Sequence, residues 1–146
     1  MSMSYWLIEG IGINVQDIEE RINKEKMVRF FLEQLPNNQE LRDMLNSGDY
    51  ELFDAEEYCQ CNGFDNLADV LCHCDDTDSL TFEYDGEGTS YFYYPPSMPW
   101  HRTPNEPKSE QEVIDRIIKA VQKITDMTEE EIKNIVENEL YVVGCC

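Results

Sequence analysis

The sequence predicts an α+β fold: a small antiparallel sheet, made of an N-terminal strand plus a central β-hairpin, packed with about five helices. Three observations predict it. Tyr5–Ile13 is rich in β-branched and aromatic residues, as a strand requires. Leu80–Asp85, Gly86–Gly88 and Thr89–Tyr94 read as strand, turn and strand. Ser109 with Glu112, and Thr128 with Glu131, have capping-box spacing ahead of helical apolar periods.

In chain order, Gly10 and Gly12 predict a bulge or close backbone approach near the end of the first strand. Asn14 reads as an N-cap, with Asp17 at the capping-box position and Val15, Ile18 and Ile22 on one helical face. Met27, Phe30, Phe31 and Leu35 continue that period until Pro36 ends it. Asn38 caps a short helix carrying Leu41 and Leu45, closed by Asn46-Ser47-Gly48. Asp49–Cys61 fits helix or irregular structure equally. Asp65 reads as the cap of a helix burying Leu67, Ala68, Leu71 and Cys72. After the hairpin, five prolines between Pro95 and Pro107 predict an ordered loop or crossover. Val113, Ile114, Ile117, Ile118, Val121 and Ile124 then mark the clearest amphipathic helix. A last helix carries Ile132, Ile135, Val136 and Leu140, and Tyr141–Val143 reads as a short final strand. With 146 residues, no internal repeat and no low-complexity linker, a single domain over residues 1–146 is expected.

Charge is the abnormal property. Eleven Lys and Arg face 31 Asp and Glu, for a formal net charge of −20. The 59 positions between Arg42 and Arg102 hold fourteen acids and no Lys or Arg, so most of the excess sits in the middle of the chain. Such a balance excludes direct binding to nucleic acid or to an anionic membrane through a broad basic face. It fits a cationic partner, a metal, or solubility alone. Glu83, Asp85 and Glu87 fall on alternate positions of the predicted hairpin, with Asp75, Asp76 and Asp78 just upstream. Same-face side chains on a strand lie about 6.8 Å apart, and a DNA strand carries a charge about every 3.4 Å, so the densities are of the same order.

No segment has the roughly 18 consecutive apolar residues of a membrane helix. The start of the sequence lacks a basic region and reaches Glu9 before an apolar stretch develops, so no signal peptide and a cytoplasmic location are expected. In a reducing compartment the six cysteines default to free thiols. Cys59-Gln-Cys61 and Cys72-His-Cys74 have one intervening residue, whereas zinc pairs usually have two to four. Cys145-Cys146 resembles a prenylation tail without the basic segment that supports one. Asp76-Thr-Asp78 starts like a calcium loop, but Leu80 occupies the third ligand position. His73 and His101 sit in no recognisable catalytic motif. The expectation is therefore a non-enzymatic binding protein with no cofactor and no metal.

Tyr91–Trp100 concentrates rings, prolines and Met98, which build either a core or a rigid partner anchor. The partner-binding residues expected are Asp75, Asp76, Asp78, Glu83, Asp85, Glu87, Tyr91, Tyr93 and Trp100: aromatic anchors with an acidic rim. Phe64-Asp-Asn-Leu-Ala-Asp-Val-Leu71, Asp75-Asp-Thr-Asp78 and the Tyr91–Trp100 segment together give the chain a type. It resembles small acidic proteins of phages and mobile elements of Gram-positive bacteria, a type that includes DNA mimics and anti-CRISPR inhibitors. That resemblance implies an inhibitor acting in the host cytoplasm on the basic groove of a nucleic-acid-binding protein, such as a CRISPR effector nuclease. Two other readings compete: a small intracellular metal- or thiol-dependent enzyme or metal-binding protein using the Cys/His set, and a structural or packing protein of a mobile element.

Overall fold

The computed structural model describes residues 3–95 and 105–146. Strand β1 (Tyr5–Asn14) leads into a 3-10 helix (Val15–Arg21) and then helices α1 (Lys24–Gln34), α2 (Gln39–Ser47), α3 (Ala55–Cys61) and α4 (Leu67–Cys74). The hairpin strands β2 (Thr81–Tyr84) and β3 (Ser90–Tyr94) follow, then α5 (Glu110–Gln122), α6 (Glu129–Ile135) and β4 (Glu137–Cys145). The sheet is four-stranded and antiparallel, in the order β2-β3-β1-β4. The α+β expectation holds, with six α-helices and one 3-10 helix among the described residues in place of about five, and with one more strand in the sheet.

Side-chain caps set the helix starts. Asn23, Asn38, Asp54, Asn66, Ser109 and Thr128 each accept a backbone N–H from the first turn of the helix that follows. A cap of this kind is worth about 1 kcal/mol. Three expectations need correction. The period from Val15 to Leu35 is not one helix: Ile22 leaves it to form a β-bridge with Thr125, and Asn23 restarts it. Asn66, not Asp65, caps α4, because the Asn66 side-chain Oδ1 receives the Asp69 N–H at 2.9 Å. Leu140 belongs to β4 and not to the last helix, which stops at Ile135.

The sheet is sharply bent, and glycines allow it. β1 pairs with β4 from Tyr5 to Gly10 and again at Gly12, and with β3 from Ile11 to Asn14. Between these stretches the register with β4 shifts at Gly10–Gly12, and Gly10 holds φ 149°, a value open essentially to glycine alone. A Cβ on Gly12 would lie 2.3 Å from the Tyr93 Cβ, so only glycine lets the strands approach this closely. The β1–β4 ribbon then folds across the hairpin. The Trp6 Nε1–H donates to the Tyr84 carbonyl at 2.9 Å, and the Cys145 N–H donates to the Asp85 carbonyl at 3.0 Å.

This bend creates two cores. The larger lies between the sheet and the helices. Ile11, Ile13 and Phe92 come from the strands, Phe30 and Phe31 from α1, Val113, Ile117 and Val121 from α5. Phe31 is its aromatic hub, 5.6 Å in ring-centroid distance from both Phe30 and Phe64. The smaller core lies inside the bend, where Ile8, Tyr93 and Leu140 are buried against Trp6, Tyr91 and Val142.

Candidate functional site

The acids expected to form a docking rim divide into two classes. Asp75 is buried at the end of α4 and is a structural anchor. Its Oδ1 accepts from the Thr77 N–H at 3.0 Å and the Thr77 hydroxyl at 2.6 Å, and its Oδ2 from the Ser79 and Leu80 N–H groups at 2.8 and 3.0 Å. Burial pushes its pKa up, but these hydrogen bonds together outweigh that and hold it below the ordinary aspartate value. Asp85 likewise bonds the backbone of its own turn. Its Oδ1 accepts from the Glu87 and Thr89 N–H groups at 2.7 and 3.1 Å, which closes the hairpin turn. The proposed alternation of Glu83, Asp85 and Glu87 along one strand is therefore not formed, since β2 ends at Tyr84 and Asp85 turns inward on its own backbone.

Asp76 is exposed but neutralised within the chain. Lys123 reaches it at 2.8 Å and Lys119 at 3.7 Å, and the hydrogen bond from Lys123 lowers its pKa. Asp78, Glu83 and Glu87 are exposed, and no ion pair holds any of them among the described residues. Of the aromatic anchors, Tyr93 is buried in the small core, where burial and then Glu83 push its pKa up to about 12. Tyr91 is half-buried beside it. Neither presents a free ring to a partner. Trp100 lies outside the described residues.

The base-free run nevertheless keeps its charge at the surface. Among its fourteen acids, Asp43, Asp49, Glu51, Asp54, Glu56, Glu57 and Asp65 are exposed on α2, α3 and their connections. Asp54 spends one oxygen capping α3. Of the fourteen, only Asp76 pairs with a Lys or Arg among the described residues, and Asp69 lies 3.5 Å from the His73 ring. Five of the chain's bases pair with acids outside the run: Arg21 with Glu131, Arg29 with Glu25, Arg116 with Glu112, Lys26 with Asp126 and Lys133 with Glu129. The α2–α3 acids are the residues that the sequence reading left out of its site. Their signal was present in the charge map, since α3 begins Asp54-Ala-Glu-Glu.

The cysteines offer little chemistry. All six are free thiols. Burial pushes Cys59, Cys72 and Cys74 up to about 12, which leaves them protonated and weakly nucleophilic at neutral pH. Among the described residues no group of three or more His, Cys, Asp or Glu is placed to hold a metal ion. No described helix is long and apolar enough to cross a membrane. No protein-family model, curated protein or solved structure matches the chain.

Proposed function

We propose that this protein is a non-catalytic inhibitor, of the phage or mobile-element type, that occupies the basic groove of a host nucleic-acid-binding enzyme in the cytoplasm. A CRISPR effector nuclease is the specific target class. One observation carries the reading: eleven of the fourteen acids between Arg42 and Arg102 are exposed, and of these only Asp76 has a cationic partner among the described residues, while five of the chain's bases pair with acids outside the run. Unscreened like charge destabilises a folded protein, and a cationic groove is where that charge becomes favourable. The docking residues are revised accordingly to Glu51, Glu56, Glu57, Asp78, Glu83 and Glu87. Asp75 and Asp85 support the surface from inside.

The test is displacement of a labelled DNA duplex from a panel of guide-loaded CRISPR effector nucleases. The wild-type chain should release DNA from at least one member, and release should weaken steeply as salt is raised. The combined variant Glu51→Lys, Glu56→Lys, Glu57→Lys, Glu83→Lys and Glu87→Lys should lose that activity with no fall in its unfolding midpoint. Equal displacement by the variant, or no displacement from any member, overturns the reading.

A further inference from the structure

We propose that the outer edge of β4 is a docking site for an extended, cationic segment of another protein, which adds to the sheet as a fifth strand. This is a different surface from the acidic one above, and either can fail without the other.

Five of the eight exposed large apolar side chains among the described residues gather on the β1–β4 ribbon, while Leu35, Leu52 and Tyr84 lie elsewhere. Among the described residues, Tyr5, Leu7, Tyr141 and Val143 are 66, 43, 65 and 58% exposed, and Met3 extends the group. Pairing of Leu7 with Val143, of Tyr5 with Cys145 and of Glu9 with Tyr141 puts them on one face of the β1–β4 ribbon. That face points away from the small core, which takes Trp6, Ile8, Leu140 and Val142 from the alternate positions. A contiguous apolar patch marks a contact site more often than an isolated exposed leucine does.

The backbone beside the patch is also open. Ser4 and Cys146 exchange both N–H···O bonds, at 3.0 and 3.1 Å. Counting in twos from that pair, the bonded partners are Trp6 with Gly144, Ile8 with Val142 and Gly10 with Leu140. The N–H and C=O groups of Glu139, Tyr141 and Val143 therefore face away from β1. Cys145 has the same phase, and its N–H does reach outward, to the Asp85 carbonyl. Among the described residues nothing pairs with Tyr141 or Val143 on that side.

Charge selects the occupant. An open edge is a template for any strand, and proteins guard such edges with charge. The guards here are Glu137 and Glu139, on a chain of net charge −20. They repel a second copy and attract a basic segment. The Tyr141 end of the patch opens into a cleft of about 730 Å³ lined by Glu9, Glu110 and Glu139, with Lys108 the one base among its described lining residues. A docked strand gains main-chain hydrogen bonds from the edge, apolar contact with Tyr141 and Val143, and a carboxylate-lined cleft for a Lys or Arg.

The test uses a panel of synthetic peptides matching the nine residues of β4 in length, alternating Lys with Val, Ile or Tyr. A matched panel replaces Lys with Glu. At millimolar concentration at least one Lys peptide should shift the amide resonances of Tyr141 and Val143 and slow their hydrogen exchange, and no Glu peptide should. Val143→Pro removes an outward N–H and the valine side chain but no bond to β1, at a position where an edge strand tolerates proline, and should weaken binding by at least about tenfold. Val143→Lys should weaken it similarly, and N-methylating alternate peptide amides should abolish it on the unmodified protein. Failure of every Lys peptide to move those two amides overturns the proposal, and so does equal binding by the N-methylated peptide. Sedimentation showing a dimer that Val143→Pro dissolves would assign the edge to a second copy and overturn it as well.

Discussion

Asp75→Ala separates a structural acid from a docking acid. In the wild type, one carboxylate satisfies the N–H groups of Thr77, Ser79 and Leu80 and the Thr77 hydroxyl. Ser79 and Leu80 are buried, so water cannot replace the lost acceptor for their two N–H groups. Each stranded donor costs about 1–3 kcal/mol, and Thr77, half-buried, rehydrates at little cost, so the loss should be about 2–6 kcal/mol. Asp75→Asn keeps one carbonyl acceptor and should lose about half as much. Urea unfolding followed by circular dichroism measures both. The folded pKa is lowered, so this stabilisation is complete above the unfolded aspartate value of about 3.9 and disappears as pH falls through the folded value. Below about pH 4 the wild type should therefore lose stability more steeply than Asp75→Ala. A loss below about 0.5 kcal/mol at neutral pH, within the range of an ordinary surface substitution, would refute the anchoring role.

Further outcomes follow from other residues. Glu131 is held down to about 2 by the hydrogen bond from Arg21 and by the Thr128 N–H, so its contribution is present above the ordinary glutamate value and is lost between there and about pH 2; acid titration of Glu131→Gln should lack that step. Raising salt from about 0.01 M to 0.15 M shortens the screening length from about 30 to 8 Å and should raise the melting temperature by a few degrees; a fall would contradict net self-repulsion. Gly144→Ala places a Cβ 2.3 Å from the Trp6 indole and should cost about 1–3 kcal/mol by overpacking, measured by thermal unfolding. A thiol-alkylating reagent at neutral pH should modify exposed Cys61 and Cys146 first and reach Cys59 and Cys74 only on unfolding, as mass spectrometry would read.

Local chemistry made most of the elements legible. Caps, periods and the Gly-rich turn act within a few residues, so Asn38, Ser109, Thr128 and the Gly86–Gly88 hairpin were readable directly. Misreadings arose where distant partners decide. Nothing near Ile22 announces its bridge to Thr125. β4 opens with Glu137-Asn-Glu, a poor strand start, and forms because β1 supplies a pairing edge along most of its length. The site was less legible than the fold because charge counts say nothing of where an oxygen points. Asp75 and Asp85 each precede a Thr, Ser or Gly-rich turn, an arrangement that favours bonding to the next backbone N–H groups, and this was the readable sign of their inward role. The apolar run Tyr5-Trp-Leu-Ile lacks alternation, which fits a strand buried on both faces; the structure covers only one.

The seating of Trp6 over Gly144, with its indole N–H on the Tyr84 carbonyl, gives the protein a built-in optical gauge. The sequence has two tryptophans, so replacing Trp100 with Phe would leave a single tryptophan, selectively excited apart from the tyrosines, at the seam between ribbon and hairpin. Its emission would shift to the red whenever that seam parts. Transient opening of the sheet could then be followed in real time, separately from melting of the helices.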